Sequence, residues 1–208
     1  MSGINFEVSE NTKVKSIDAC FCEGFKNLER KGYRLPSLKE NAFLRMKRGY
    51  SSDITKYGNW TCEAGVYDLD KGVFLTPNSP ILSQPEVAAK INSCGQQYLL
   101  TKKQIQEASI GAIPFSGVHL GTTQVYTKKF GDSPLMNSLF QEYAGPYGMF
   151  LKRSGIEAVP VWFFDEEYMN MVGKTFAVQI FFCGLDQDSR IYGRLNELHT
   201  KRNVVGIK

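Results

Sequence analysis

The sequence predicts a single α+β domain spanning 1–208, in which early helices pack on a sheet built mainly from C-terminal strands. Three observations predict it. A capped amphipathic helix follows Gly32; the last third carries the apolar runs AVPVWFF (158–164), TFAVQIFFCG (175–184) and NVVGI (203–207); and helical and extended segments alternate with no internal repeat. With 208 residues, 42% of them hydrophobic, the chain has enough apolar surface for one substantial core or two small ones.

The elements follow in order. Residues 17–30 place Ile17, Cys20, Phe21, Phe25 and Leu28 near one face of a predicted helix, which Gly24 weakens. Ser37 and Glu40 then form a capping box ahead of Leu38, Ala42, Phe43, Leu44 and Met46, and Gly49 ends that helix. Residues 64–76 alternate around an Asp-Lys-Gly turn and read as a hairpin. Ser83 is placed as the cap of a short helix over Glu86 to Ile91; Thr101 and Gln104 repeat the capping box; Ser133-Pro134 opens a helix with Leu135, Leu139, Phe140 and Tyr143 inward. Gly111 to Gly131 reads as loop and irregular strand, within an irregular insertion around 84–150. A short strand is read from Ile191 to Leu195.

Composition narrows the function classes. Twenty-five basic and 21 acidic residues are scattered along the chain, so its net charge of +4 gives no nucleic-acid footprint. Cys20, Cys22, Cys62, Cys94 and Cys183 are odd in number and too widely spread for a zinc site, and read as reduced structural thiols. The N-terminus shows no apolar signal region and no stretch reaches a membrane span. A soluble protein is expected, without membrane insertion, in the cytoplasm or carried to a virion or cell surface by a route the sequence does not display. His119 and His199 lie far apart, Asp165-Glu166-Glu167 reads as a solvated loop, and Tyr126, Tyr143, Tyr147, Tyr168 and Trp162 read as packing residues. No serine has the setting of a nucleophile elbow, so neither an enzyme nor a cofactor is expected.

GYRLPSLKENAFLRMKRG (32–49) resembles the G-W-R-L-P-T-x-x-E-W helix start of C-type-lectin-fold proteins of the formylglycine-generating-enzyme type. RNVVGIK (202–208) resembles their terminal R-x-V-x-G-F-R strand. The resemblance implies a C-type lectin fold. It departs at Asn41, where the family often has Trp. The oxidase branch needs a redox-active cysteine pair near the C-terminus, where Cys183 stands alone. The calcium-dependent sugar-binding branch needs Glu-Pro-Asn and Trp-Asn-Asp loops, and neither is present.

A third branch, the variable proteins of diversity-generating retroelements, displays a diversified ligand-binding surface just before the last strand. The segment Asp186 to Thr200 lies there. On that resemblance Asp186, Asp188, Ser189, Arg190, Ile191, Tyr192, Arg194, Asn196, Leu198, His199 and Thr200 are the candidate ligand-binding residues, with Tyr192 and Arg194 as anchors and a protein as the macromolecular ligand. The same composition also fits a solvated β-hairpin. An enzyme with a pocket near Gly111 to Gly131 and the 145–155 loop, or a structural module of a viral or surface assembly, are the alternatives.

Overall fold

The computed structural model describes residues 8–9, 11–114, 121–187, 189–193 and 197–208. The elements run β1 (Val14–Ala19), α1 (Phe21–Arg30), α2 (Leu38–Arg48), α3 (Asp53–Lys56), β2 (Asn59–Asp68), β3 (Gly72–Thr76), α4 (Pro80–Ser83), α5 (Pro85–Ser93), β4 (Tyr98–Leu99), α6 (Lys102–Ala108) and β5 (Ile113–Pro114). They continue with β6 (Thr122–Tyr126), α7 (Pro134–Phe140), α8 (Ala144–Arg153), β7 (Ala158–Trp162), α9 (Glu166–Val172), β8 (Phe176–Phe182), β9 (Ile191–Tyr192) and β10 (Arg202–Ile207). Among the described residues the main sheet has the order β5-β3-β2-β8-β9-β7-β6, with β4 also on β8, while β1 and β10 form a separate antiparallel pair. No helix among them is long and apolar enough to cross a membrane.

Strand β8 explains where the core sits. Phe176, Val178, Ile180 and Phe182 face a cluster under α2, α7 and α8, whereas Ala177, Phe181 and Cys183 face a second cluster with Phe21, Leu28, Trp60 and Val204. This is the period-2 alternation of a strand buried on both faces. The polar member of the run, Gln179, is buried too. It donates to the Glu63 carbonyl at 2.9 Å and to the Thr61 carbonyl, closing the irregularity in β2 between Trp60 and Ala64, and accepts from Ser79 Oγ at 2.7 Å.

The Ser37 capping box on α2 and the Thr101 box on α6 are both formed, as is the β2–β3 hairpin. Other expectations are corrected. Ile17 belongs to β1, where it pairs with Val204; the helix starts only at Phe21, and Gly24 is required because a Cβ there would sit 2.6 Å from Val204 Cγ2. Ser83 ends α4 instead of capping α5, its hydroxyl donating to the Pro80 carbonyl. On α2 the buried side includes Asn41 and Arg45, with Phe43 and Met46 only partly covered. The span 84–150 is largely regular, carrying α5 to α8 and β4 to β6. Nor is the sheet chiefly C-terminal, since β2 and β3 lie beside β8.

Glu63 joins β2 to α2. Its two carboxylate oxygens accept from the Leu38 amide at 2.9 and 3.1 Å, at the helix N-terminus. Burial pushes the carboxyl up to about 7, against the lowering effect of the Leu38 amide and the Thr61 hydroxyl, with the Glu40 charge adding to the rise. The folded protein therefore holds a proton that the unfolded chain releases at an ordinary carboxylate pKa. Stability from this group is fully present below about pH 4.5 and is lost as pH rises to about 7, a fall on the order of 3 kcal/mol. Melting profiles of Glu63→Gln and the wild type are expected to differ by this slope between pH 5 and pH 7; parallel profiles would refute the assignment.

Candidate functional site

The segment from Gly184 to Thr200 leaves the sheet after β8, adds the short strand β9 between β8 and β7, and returns to β10. Its inward and outward positions are sharply divided. Ser189, Ile191 and Leu198 are buried, with 0%, 0% and 1% exposure, which corrects the expectation that they face a ligand. Ser189 takes φ +51°, its amide donating to the Gly184 carbonyl at 2.9 Å, and its hydroxyl lies 3.5 Å from Tyr147 Oη. Ile191 enters the core under α8 through β9, and Leu198 enters the second core, where its carbonyl accepts from the Phe21 amide at 3.1 Å. Asp186, His199 and Thr200 are exposed; Arg190 and Tyr192 are half-buried. Asp188, Arg194 and Asn196 lie outside the described residues.

Residues outside the segment hold its root. Arg45, fully buried on the last turn of α2, donates to the Cys183 carbonyl at 2.7 Å, the Phe182 carbonyl at 3.2 Å and Tyr147 Oη at 3.2 Å. Its guanidinium lies 3.8 Å from the centre of the Phe182 ring. Among the described residues no carboxylate pairs with it; carbonyl dipoles and an aromatic face take that role. Gly184 lies against the end of α3, where an added Cβ would be 1.9 Å from the Lys56 carbonyl oxygen. Tyr67 donates to the Gly193 carbonyl from below. On the return, Cys20 Sγ donates to the His199 carbonyl at 2.9 Å.

Above this base runs an aromatic row that needs four strands to form, with a threonine in line on a fifth. In register across β2, β8, β9, β7 and β6 stand Trp60, Phe181, Tyr192, Trp162 and Thr122. Trp60 and Phe181 are buried and meet edge to face at 4.9 Å; Tyr192 and Trp162 are half-buried and meet at 4.7 Å with an interplanar angle of 87°. The guanidinium of Arg202 lies 5.0 Å over Phe181, and that of Arg190 lies 5.7 Å over Trp162. The row thus leaves the core within the segment and ends at the surface. Edge-to-face rings and stacked guanidinium groups fix one another's rotamers, so the exposed end is preorganised.

The sequence pattern marks Trp162 as a packing residue and does not single out Arg45, Phe181, Gly184 or Arg202. Trp162 has a local signal: in AVPVWFF it alternates with Val159, Val161 and Phe163, which are all buried on the other side. Of the pocket expected near Gly111 to Gly131 and 145–155, the Gly111 end is present as a recess of about 190 Å³ lined by Gly111, Ile113, Leu139 and Glu63, whereas the 145–155 part meets a different arrangement. Residues 145–153 belong to α8, and a Cβ at Gly148 would lie 2.4 Å from the Thr127 carbonyl oxygen, so this glycine serves close helix packing; His119, with the rest of 115–120, lies outside the described residues. Cys183 is fully buried, and burial pushes its thiol up to about 12, so it stays protonated at neutral pH.

No family model and no curated protein matches the chain. Among solved structures it is similar to one described as "Accommodation of massive sequence variation in Nanoarchaeota by the C-type lectin fold", with a TM-score of 0.69 at 11% identity over 95% of this chain and 98% of that chain. The expected kinship with the formylglycine-generating-enzyme type finds no support in these comparisons. At that identity the likeness establishes the fold, and the chain has the C-type lectin fold, of class α+β.

Proposed function

We propose that this C-type-lectin-fold chain is a display protein that binds a protein ligand through the outward positions of 186–200, in the manner of the variable proteins of diversity-generating retroelements, and that it does no chemistry. The observation that carries the reading is the aromatic row surfacing at Tyr192 and Trp162 under Arg190. Tyr, Trp and Arg are the side chains on which protein interfaces concentrate their binding energy, because they bury large rigid surfaces while retaining a polar tip. Support also comes from the division of the segment. Its inward residues and the Arg45 clamp hold the path of the chain, leaving Asp186, His199 and Thr200 exposed on the outer side beside the half-buried Arg190 and Tyr192.

The test works without the natural ligand. A library diversified at those five positions, with Ser189, Ile191 and Leu198 kept, is selected against unrelated folded proteins. Members are expected to stay folded, replacements at the exposed Asp186, His199 and Thr200 shifting stability by about 0.5 kcal/mol each and those at the half-buried Arg190 and Tyr192 by about 1 kcal/mol each, and to yield specific binders. In a selected binder that retains Tyr192, alanine at Tyr192 or Trp162 should each weaken affinity by about 2 kcal/mol. In the same melting series Val204→Ala and Ile207→Ala, both buried, should lose about 2–4 kcal/mol. If the outward positions prove as costly to change as Val204 and Ile207, the segment is structural and the reading fails.

A further inference from the structure

A recess of about 460 Å³ opens at the foot of the segment, between β1, the end of α3 and both ends of the 186–200 excursion. We propose that it takes an arginine side chain of a protein ligand. The inference rests on the display reading and adds the chemistry of one contact. Asp18, Asp53 and Asp186 line the recess; all three are exposed, and none forms an ion pair or side-chain hydrogen bond among the described residues. Of the two cations on the wall, Arg202 is already held by Glu197 and stacked on Phe181, which leaves Lys201 against three carboxylates.

The remaining walls suit a flat cation. Tyr57 lines the recess with 51% of its surface exposed and, among the described residues, no ring or hydroxyl partner, and the floor is Phe181. Gly58 keeps that floor open, since a Cβ there would lie 2.6 Å from the Phe181 ring. Carboxylates accept the guanidinium fork in the plane while an aromatic face covers it, a combination that a compact ammonium satisfies less well. The acidic recess also complements the basic row beside it. Arg190 and Arg202 carry positive charge along the row, stacked on Trp162 and Phe181, and the recess carries negative charge, so a ligand is held in one orientation along the face.

The probe is the peptide N-acetyl-Gly-Arg-Gly-amide, titrated into isotope-labelled protein, with the citrulline peptide as its uncharged counterpart. Saturable amide shifts are expected at Asp18, Asp53, Gly58 and Gln187, with a Kd near about 1 mM that weakens with added salt. The citrulline peptide is expected to cause none of these shifts. Asp53→Asn and Asp186→Asn should each weaken binding about tenfold, and both should melt like the wild type because these side chains are exposed. Absence of shifts up to about 20 mM peptide, equal shifts with citrulline, or unchanged affinity in both Asn variants would overturn the assignment. A silent recess in a protein whose Tyr192→Ala variant still loses a selected target sinks this inference alone. Arginine binding at the recess, with no effect of the outward positions on target capture, sinks the display reading instead.

Discussion

Replacing Arg45 with methionine is expected to cost about 3 kcal/mol of stability, and Arg45→Ala more, because alanine adds a cavity to the lost contacts. The reason lies in what the guanidinium leaves behind. The carbonyls of Phe182 and Cys183 accept from it at 3.2 and 2.7 Å, in a region closed to water, and neither methionine nor alanine supplies a donor. Arg45→Lys should recover only part of the loss, since one ammonium cannot serve both carbonyls and Tyr147 Oη while lying on the Phe182 ring. For a chain of this size the methionine variant should melt about 6–12 °C lower. Amide exchange should accelerate most at 183–190, where the clamp acts. A melting temperature unchanged in Arg45→Met would show that the buried charge costs as much as its hydrogen bonds return.

The second large effect is expected at Gly184. Alanine there brings a Cβ to within 1.9 Å of the Lys56 carbonyl oxygen and 2.3 Å of its carbonyl carbon, so backbone meets backbone and no side chain can give way. Either the end of α3 or the turn that Gly184 makes with Gln187 and Ser189 must move. A loss of about 3 kcal/mol or more follows. Gly65→Ala is the matched control: it is buried in β2, yet its added Cβ finds nothing closer than 3.6 Å. That variant should stay within about 1 kcal/mol of wild type. If the two alanine variants melt alike, close packing at Gly184 is not what holds the root of the segment.

Features set by local chemistry were legible in the sequence. The Ser37 box is complete within four residues, the turn between β2 and β3 announces itself, and the runs that become β8 and β10 are largely apolar. Features set by distant pairing were not. Ile17 sits on a helical pattern with Phe21 and Leu28, but Val204, far along the chain, claims it for a strand. Arg45 was invisible because amphipathic patterns count apolar residues, whereas its burial depends on carbonyls contributed by β8 and the residue after it. The aromatic row is the extreme case. Each ring lies on a different strand, and their alignment follows from three registers, one of them parallel, that no window of sequence contains. Within 186–200 the mixed composition marked a variable-looking stretch, yet inward and outward positions depend on β9 pairing with both β8 and β7.

The pairing of β1 with β10 bears on how altered copies of this chain would be sorted. Among the described residues Val14–Ala19 finds its strand partner in Arg202–Ile207, on the far side of the excursion, and Val205 and Ile207 close a small core with Leu44 and Ile54. A frameshift or stop codon anywhere in 186–200 removes β10 and leaves β1 unpaired, with apolar side chains of α1 and α2 uncovered. Such a product is expected to stay unfolded and open to proteolysis, whereas a copy that differs only in outward residues is expected to pair its ends and survive. Geometry thus couples the integrity of the message to the lifetime of the product: the strand that follows the excursion acts as a checksum on it.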